Sequence, residues 1–106
     1  MAEAKISLYD ILKELIKDES VKVEDYTEDI RMIFSYKGGL KAMLERLAPL
    51  TFKIRIEYDR EGLQVCYKEE IDLNDFTDAE DVAKYVKDTI EAIAKGIEVM
   101  EKELVG

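Results

Sequence analysis

The chain has 106 residues, of which 47% are hydrophobic and 39% charged, and it carries a net charge of -9 with an isoelectric point near 4.6. This length fits one domain with one hydrophobic core, and the hydrophobic fraction argues against a disordered chain. The acidic excess argues against direct binding to nucleic-acid phosphates or to anionic membranes, because both need clustered Lys and Arg.

Histidine is absent and Cys66 is the only cysteine. These two facts rule out an intrachain disulfide, a cysteine-built zinc site and imidazole groups acting as ligands or bases. We therefore expect no cofactor, no metal and no enzymatic activity. The first residues carry no basic region followed by an apolar run, which predicts a cytoplasmic protein without a signal peptide or a membrane span. The Lys-, Glu- and Ile-rich composition suits a heat-adapted source.

The first third of the chain predicts a helix followed by two strands. Ser7 and Asp10 form a capping pair, and the apolar stripe after them predicts an amphipathic helix that ends near Glu19. Apolar and polar residues then alternate in residues 21–24 and again in residues 30–36. This alternation is typical of half-buried strands, and the polar residues between the two runs predict a hairpin.

A short helix of about two turns is predicted in the middle of the chain. The permissive pair Gly38 and Gly39 precedes it, and Pro49 follows it, where a helix has to end. Between them four apolar residues recur at helical spacing: Leu40, Met43, Leu44 and Leu47.

The strictest alternation belongs to a second hairpin. Apolar residues occupy one face of residues 50–58, while Lys53 and Arg55 lie on the other face. The turn at 59–62 begins with Asp and ends with a Gly able to adopt positive φ. Matching the apolar faces of the two strands requires an even-length loop, and we expect Tyr58 opposite Leu63.

Thr77 and Glu80 form a capping box that opens a long last helix. Seven apolar residues then recur at spacings of three and four: Val82, Val86, Ile90, Ile93, Ile97, Met100 and Leu104. This stripe either packs across the sheet of its own chain or, near Met100 and Leu104, forms a coiled-coil seam with a second chain.

Together these elements predict a single α+β domain over residues 1–106, with the order α-β-β-α-β-β-α. An antiparallel sheet of about four strands carries an N-terminal helix, a short middle helix and a long C-terminal helix. We expect one core where the apolar face of the second hairpin meets the last helix.

This order resembles that of the small acidic chaperones of type III secretion and their stand-alone relatives. The segment 52–104 carries the likeness, with a strand, an Asp-x-x-Gly turn at 59–62, an acidic-apolar run at 69–73, a helix start at Thr77 and a long amphipathic helix. Those chaperones are homodimers that wrap an unfolded client segment around their surface. The resemblance therefore implies a homodimer that binds an extended client, with its dimer contact in the middle helix and in part of residues 50–56. That family usually has three strands between its first two helices, whereas residues 20–38 hold two.

The segment 69–81 is crowded with carboxylates, which can attract a divalent cation. A calcium loop aligned on Asp72 and Asn74 fails, because Phe76 stands where an oxygen ligand is needed and Ala83 where the loop ends in Glu. The better interpretation is a solvated helix start whose acidic residues complement the helix dipole.

The leading hypothesis is a non-enzymatic, chaperone-like protein-binding module, a homodimer whose apolar middle helix and sheet edge contact itself or an extended client segment. Its candidate interface residues are Leu40, Met43, Leu44, Leu47, Phe52, Ile54, Met100 and Leu104. The alternative is an acidic decoy that mimics nucleic-acid charge and binds a basic DNA- or RNA-handling protein; it predicts carboxylates in rows along one surface. A metal-dependent enzyme ranks third.

Overall fold

The computed structural model describes residues 6–60 and 62–105, with the backbone alone at 38, 104 and 105. Within these residues the chain forms α1 (Leu8–Leu15), β1 (Lys22–Thr27), β2 (Arg31–Tyr36), β3 (Leu40–Ala48), β4 (Thr51–Arg60), β5 (Leu63–Asp72) and α2 (Ala79–Val105). The strands pair in chain order, each antiparallel to the next, to give one five-stranded sheet. The architecture is therefore α+β, with a helix before the sheet and a long helix after it.

The start of α1 follows the sequence prediction, and its end does not. Ser7 caps the helix by accepting a hydrogen bond from the backbone N–H of Asp10 at 3.1 Å. The helix ends at Leu15, before the predicted end near Glu19, and the next residues form tighter turns. The side chain of Asp18 closes them by accepting from the backbone N–H of Ser20 at 2.8 Å.

The prediction of a middle helix is wrong, because residues 40–48 form strand β3 at the centre of the sheet. Leu40 and Leu44 share the buried face with Ala42, whereas Met43 faces the other side and Leu47 is exposed. The four-residue spacing of Leu40 and Leu44 fits a helix and a strand equally well. Ala42 lies between them on the same face of the strand, but alanine is a weak signal of a buried position, so the alternation is hard to recognise in the sequence. Residues 40–48 form a strand and not a helix because they pair with both β2 and β4, and such tertiary contacts override local propensity.

The second hairpin is present, with a register that differs from the expected one. Tyr58 lies opposite Val65, and Arg60 is the residue opposite Leu63. The first strand therefore extends two residues further than expected, to Arg60, while the second still begins at Leu63, and the connection shortens to residues 61–62. Because the shift is even, the apolar faces still match, and Lys53 and Arg55 remain on the outer side. Gly62 has the expected positive φ, at 80°.

The helix α2 begins slightly later than predicted. Asp78, and not Thr77, supplies the capping oxygen, which accepts from the backbone N–H of Asp81 at 2.9 Å. Asp81 in turn accepts from the backbone N–H of Thr77 at 3.2 Å. The helix has 27 residues and is about 40 Å long, so it spans most of the elongated molecule.

Both helices pack on one face of the sheet, and the core lies between the two layers. Phe34, Phe52 and Ile56 of the sheet are fully buried there, as are Ile11 of α1 and Ile90 of α2. Ile54 belongs to this cluster and Ile93 packs against it, which confirms the expected single core. On the part of the chain that the structure describes, the opposite face of the sheet, here called the outer face, has no element packed on it.

Candidate functional site

Four of the eight predicted interface residues lie inside the core of their own chain. Leu40, Leu44, Phe52 and Ile54 are no more than 2% exposed, because the buried face of the sheet holds them under the helices. They supply no surface to a partner. Met43 is half-buried on the outer face, and Leu47 and Met100 are 47% and 42% exposed. The side chain of Leu104 lies outside the described residues.

The outer face of the sheet is a charged surface whose ion pairs are made within the chain. Lys41 Nζ lies 3.1 Å from a carboxylate oxygen of Glu24, and Arg55 Nε lies 2.6 Å from one of Glu57. A shallow depression of about 220 Å³ over Ile33 and Met43 is the apolar part of this face. Such a face is typical of an antiparallel sheet that is solvated on one side.

The two edges of the sheet differ strongly. The edge strand β1 has six residues and an irregular register between Val23 and Asp25, and Glu24 within that irregularity pairs with Lys41. A short, irregular edge strand of this kind is protected against pairing with another chain. The other edge strand, β5, has ten residues in unbroken register with β4, and no described residue pairs with its second side. This second side is here called the β5 edge.

The hydrogen-bond pattern of the hairpin determines which backbone N–H and C=O groups of β5 point to the open side. The N–H of Leu73 donates to the carbonyl oxygen of Leu50 at 2.8 Å, one residue pair beyond the β4–β5 register. Because hydrogen-bonded pairs alternate along an antiparallel ladder, the odd-numbered residues of β5 bond to β4. The N–H and C=O groups of the even-numbered residues therefore point to the open side; these are Gln64, Cys66, Lys68, Glu70 and Asp72.

Glu69 is the polar residue on the inner side of β5. One of its carboxylate oxygens accepts from the Tyr67 hydroxyl at 2.9 Å and the other from the Tyr85 hydroxyl of α2 at 2.6 Å. Donation to Glu69 raises the pKa of both phenols above the ordinary value of tyrosine. Phe76 packs edge-on against Tyr85 with 5.5 Å between ring centroids. The carboxylate is thus held in one place by two neutral donors.

α2 lies next to β5 at Tyr85 and next to β4 at Glu101. Tyr85 contacts Glu69, and Glu101 accepts a hydrogen bond from Tyr58, whose neighbour on β5 is Val65. Positions seven, eleven and fourteen residues after Tyr85 lie on the same side of a helix, and Ala92, Gly96 and Val99 occupy them. Nothing lies within 4 Å of the position that a side chain at Gly96 would occupy. The surface of α2 is therefore open there.

A cavity of about 430 Å³ lies between the last turns of α2 and the far end of the sheet. Leu40, Tyr58 and Ile97 are among the apolar residues that line it, and charged groups of both signs surround the opening, including Lys37 and Glu91. The Tyr36 hydroxyl donates to Glu91 at 2.7 Å. Burial and this bond raise the pKa of Tyr36 above its ordinary value. The charges balance one another, so the cavity favours no one class of ligand.

The carboxylates of the helices alternate with lysines and do not form rows. Asp10 lies 3.8 Å from Lys13, and Asp88 lies 3.0 Å from Lys84. Asp18 of the turn after α1 lies 3.7 Å from Lys87 on α2. This arrangement does not favour an acidic mimic of nucleic acid. Among the residues that the structure describes, no group of three acidic or cysteine side chains is placed to hold a metal ion.

No protein-family model, curated protein or solved structure matches this chain. Neither described helix combines the length and the apolar character that a bilayer-spanning helix requires.

Sequence reasoning identified β5 as a strand and missed that it is an edge. The sequence signal for an edge strand is the difference between the inward-facing residues of β4 and those of β5. In β4 the inward residues from Phe52 to Tyr58 are all apolar, as expected for a strand with neighbours on both sides. In β5 the inward series contains Glu69, and Leu63 and Val65 remain half-buried. An acidic residue in an inward position is one of the features that mark edge strands.

Proposed function

We propose that this protein is a non-enzymatic protein-binding module that takes up an extended segment of a partner along the β5 edge. A segment bound there becomes a sixth strand of the sheet, in the manner of strand addition. The backbone groups of β5 supply the affinity, and the side chains on either side of the strand supply the selectivity.

The observation that carries the proposal is the contrast between the two edges. β5 offers ten residues in regular register, and β1 is short and irregular. Long regular edges invite pairing with other chains, and proteins restrict such pairing with a covering element, an irregular register or charged residues; on β5 only the last device is present, at Lys68 and Glu69. Half-buried Leu63, Val65 and Tyr67 lie on the inner side of β5, where side chains of an added strand find apolar contacts.

Selection of binders from a random peptide display library tests the proposal. The expected result is enrichment of extended peptides that bind the wild-type protein and lose binding to Cys66→Pro. Proline at an even-numbered position removes an N–H from the open side while leaving the hydrogen bonds to β4 in place. Circular dichroism and thermal unfolding of the variant establish that it is folded. Recovery of no peptide, or of peptides that bind both proteins equally, contradicts the proposal.

The homodimer implied by the chaperone resemblance stays a prediction. Sedimentation equilibrium over a range of protein concentrations tests it, and a mass of 12.2 kDa at every concentration would contradict it. Strand addition at β5 does not require the homodimer, since a partner of another sequence fills the same edge.

A further inference from the structure

The two halves of β5 differ in charge. Residues 63–67 contain no charged side chain, whereas residues 68–72 contain Lys68 and three carboxylates, those of Glu69, Glu70 and Asp72. A strand that pairs with the full length of β5 therefore meets an uncharged half and an acidic half.

The carboxylates of the acidic half are only partly offset by their own chain. Within the described residues, Glu70 and Asp72 make no ion pair, although Lys53 of β4 lies opposite Glu70, and Glu69 is held by two tyrosine hydroxyls. Asp72 accepts from the backbone N–H of Asn74 at 2.9 Å. Three carboxylates against Lys68 and Lys53 therefore leave an acidic excess beside the position of an incoming strand.

A second copy of this chain is a poor match for the β5 edge. The antiparallel self-pairing that overlaps residues 63–71 places Glu69 of one copy opposite Val65 of the other. A shift that sets Lys68 opposite Glu70 brings the two copies of Glu69 face to face, and like charges directly opposite are destabilising. Each copy also has a net charge of -9, which opposes association over longer distances.

We propose that the segment bound at the β5 edge belongs to another protein and is basic in its N-terminal half and apolar in its C-terminal half, running antiparallel to β5. This inference rests on the proposed function and names the chemistry of its partner. Antiparallel pairing continues the pattern of the sheet and is slightly more stable per residue than parallel pairing. It places the N-terminal half of the segment beside Glu69 and Glu70.

The apolar half of the segment meets residues 63–67. Its inward side chains lie next to half-buried Leu63 and Val65. The basic half meets Glu69 on the inner side and Glu70 on the outer side, so both alternating rows of its side chains find a carboxylate.

Binding of synthetic peptides of about ten residues, measured by fluorescence anisotropy, tests this inference. One peptide has Lys at every position of its N-terminal half and alternates Val with Thr in its C-terminal half. A second peptide replaces every Lys with Glu, and a third has the first sequence reversed. We expect the first peptide to bind wild-type protein at least about tenfold more tightly than either of the others.

Charge variants of the protein provide the matched comparison. Glu70→Lys should weaken binding of the basic peptide by about tenfold and improve binding of the peptide with Glu, because the sign of the contact is reversed. Glu19→Lys makes the same change in net charge at an exposed position between α1 and β1 and should leave both affinities within about twofold. Glu69→Gln removes the inner charge at nearly constant shape and should weaken binding of the basic peptide alone.

The outcomes separate this inference from the proposed function. Peptides that require an intact β5 edge but show no preference for basic residues overturn the inference and leave the proposed function in place. Equal effects of Glu70→Lys and Glu19→Lys overturn it as well, since they reveal attraction by net charge alone. A dimer held together through β5, shown by a mass that falls to the monomer value in Cys66→Pro, identifies a second copy as the occupant and overturns it. If neither library peptides nor these peptides depend on β5, both proposals fail.

Discussion

Arg46 joins three parts of the chain that are distant in sequence. Its guanidinium donates to the carbonyl oxygens of Ile6, Asp29 and Pro49 at 3.0, 3.3 and 2.7 Å, and it lies over the ring of Phe52 at 4.5 Å. The segment before α1, the turn between β1 and β2, and the turn between β3 and β4 are thereby held together. The planar fork of Arg allows all three contacts at once.

Arg46→Lys should lower the free energy of unfolding by about 1–3 kcal/mol, because an ammonium group cannot reach the three carbonyls together and leaves some of them unpaired. Arg55→Lys is the matched control, since Arg55 makes an exposed ion pair, and it should change stability much less than Arg46→Lys does. Urea denaturation of the two variants and the wild type measures both values. Equal losses in the two variants would show that Arg46 is an ordinary surface residue.

Asp29 makes the fold sensitive to acid. It adopts φ of 55°, accepts from the backbone N–H of Leu8 at 3.0 Å and lies 3.1 Å from the Arg46 guanidinium. The bond from Leu8, helped by Arg46, holds the pKa of this carboxyl below its ordinary value. Its stabilising effect is therefore complete above the unfolded-state pKa of about 4 and is lost as pH falls through the lower folded-state pKa.

Asp29→Asn should reduce stability at neutral pH and reduce the further loss of stability below about pH 4. Asn tolerates the left-handed backbone, so the change removes the charge without a new strain. Asp25→Asn is the control, because Asp25 makes a long exposed contact to Arg31 at 3.9 Å. Urea midpoints measured as a function of pH give the comparison. An acid dependence in Asp29→Asn as steep as that of the wild type would contradict the assignment.

At the scale of single elements, the identity of β3 has a direct mutational test. Leu44 is 1% exposed and Leu47 is 47% exposed, although a helix would place both on one face. Leu44→Ala should cost about 2–5 kcal/mol of unfolding free energy, and Leu47→Ala less than about 0.5 kcal/mol. Thermal unfolding of the two variants distinguishes them. Similar, large losses at both positions would favour the helix.

The elements that sequence analysis predicted well are those with one dominant local signal. Ser7 before an apolar stripe led to α1, and strict alternation in residues 50–58 led to β4 and to its outward-facing Lys53 and Arg55. The middle segment failed because Leu40 and Leu44 are compatible with both periods. Its strand partners lie elsewhere in the chain, so no local pattern resolves the choice.

The candidate site was less accessible to prediction than the fold. Which strand lies at the edge depends on the order of all five strands, and a sequence pattern does not contain that order. Four predicted interface residues proved to be core, because apolar character alone does not separate a buried contact within the chain from one between chains. The acidic half of β5 was noticed as part of the segment 69–81, but its relation to a free backbone edge required the structure.

At the scale of the whole molecule, shape and charge suit the capture of a basic segment. The molecule measures 56 × 22 × 19 Å and has a net charge of -9. A field of this sign accelerates the approach of a basic partner and repels a second copy. The long axis of the molecule follows α2, and the ten-residue β5 edge is long enough to pair with an extended segment.

Association of the basic peptide should therefore depend strongly on salt. Raising the ionic strength from low salt to about 0.15 M shortens the Debye length to about 8 Å and should slow association more than it changes dissociation. Stopped-flow fluorescence measures the two rate constants separately. A salt-independent association rate would show that charge does not guide the encounter.

Hydrogen exchange along β5, followed by NMR with and without a peptide selected for binding, tests the central claim most directly. In the free protein we expect fast exchange at the amides of Gln64, Cys66, Lys68 and Glu70 and slow exchange at the odd-numbered amides between them. Bound peptide should slow the even-numbered amides and leave the odd-numbered ones unchanged. Protection that rises elsewhere in the protein, while these four amides remain fast, would contradict strand addition at the β5 edge.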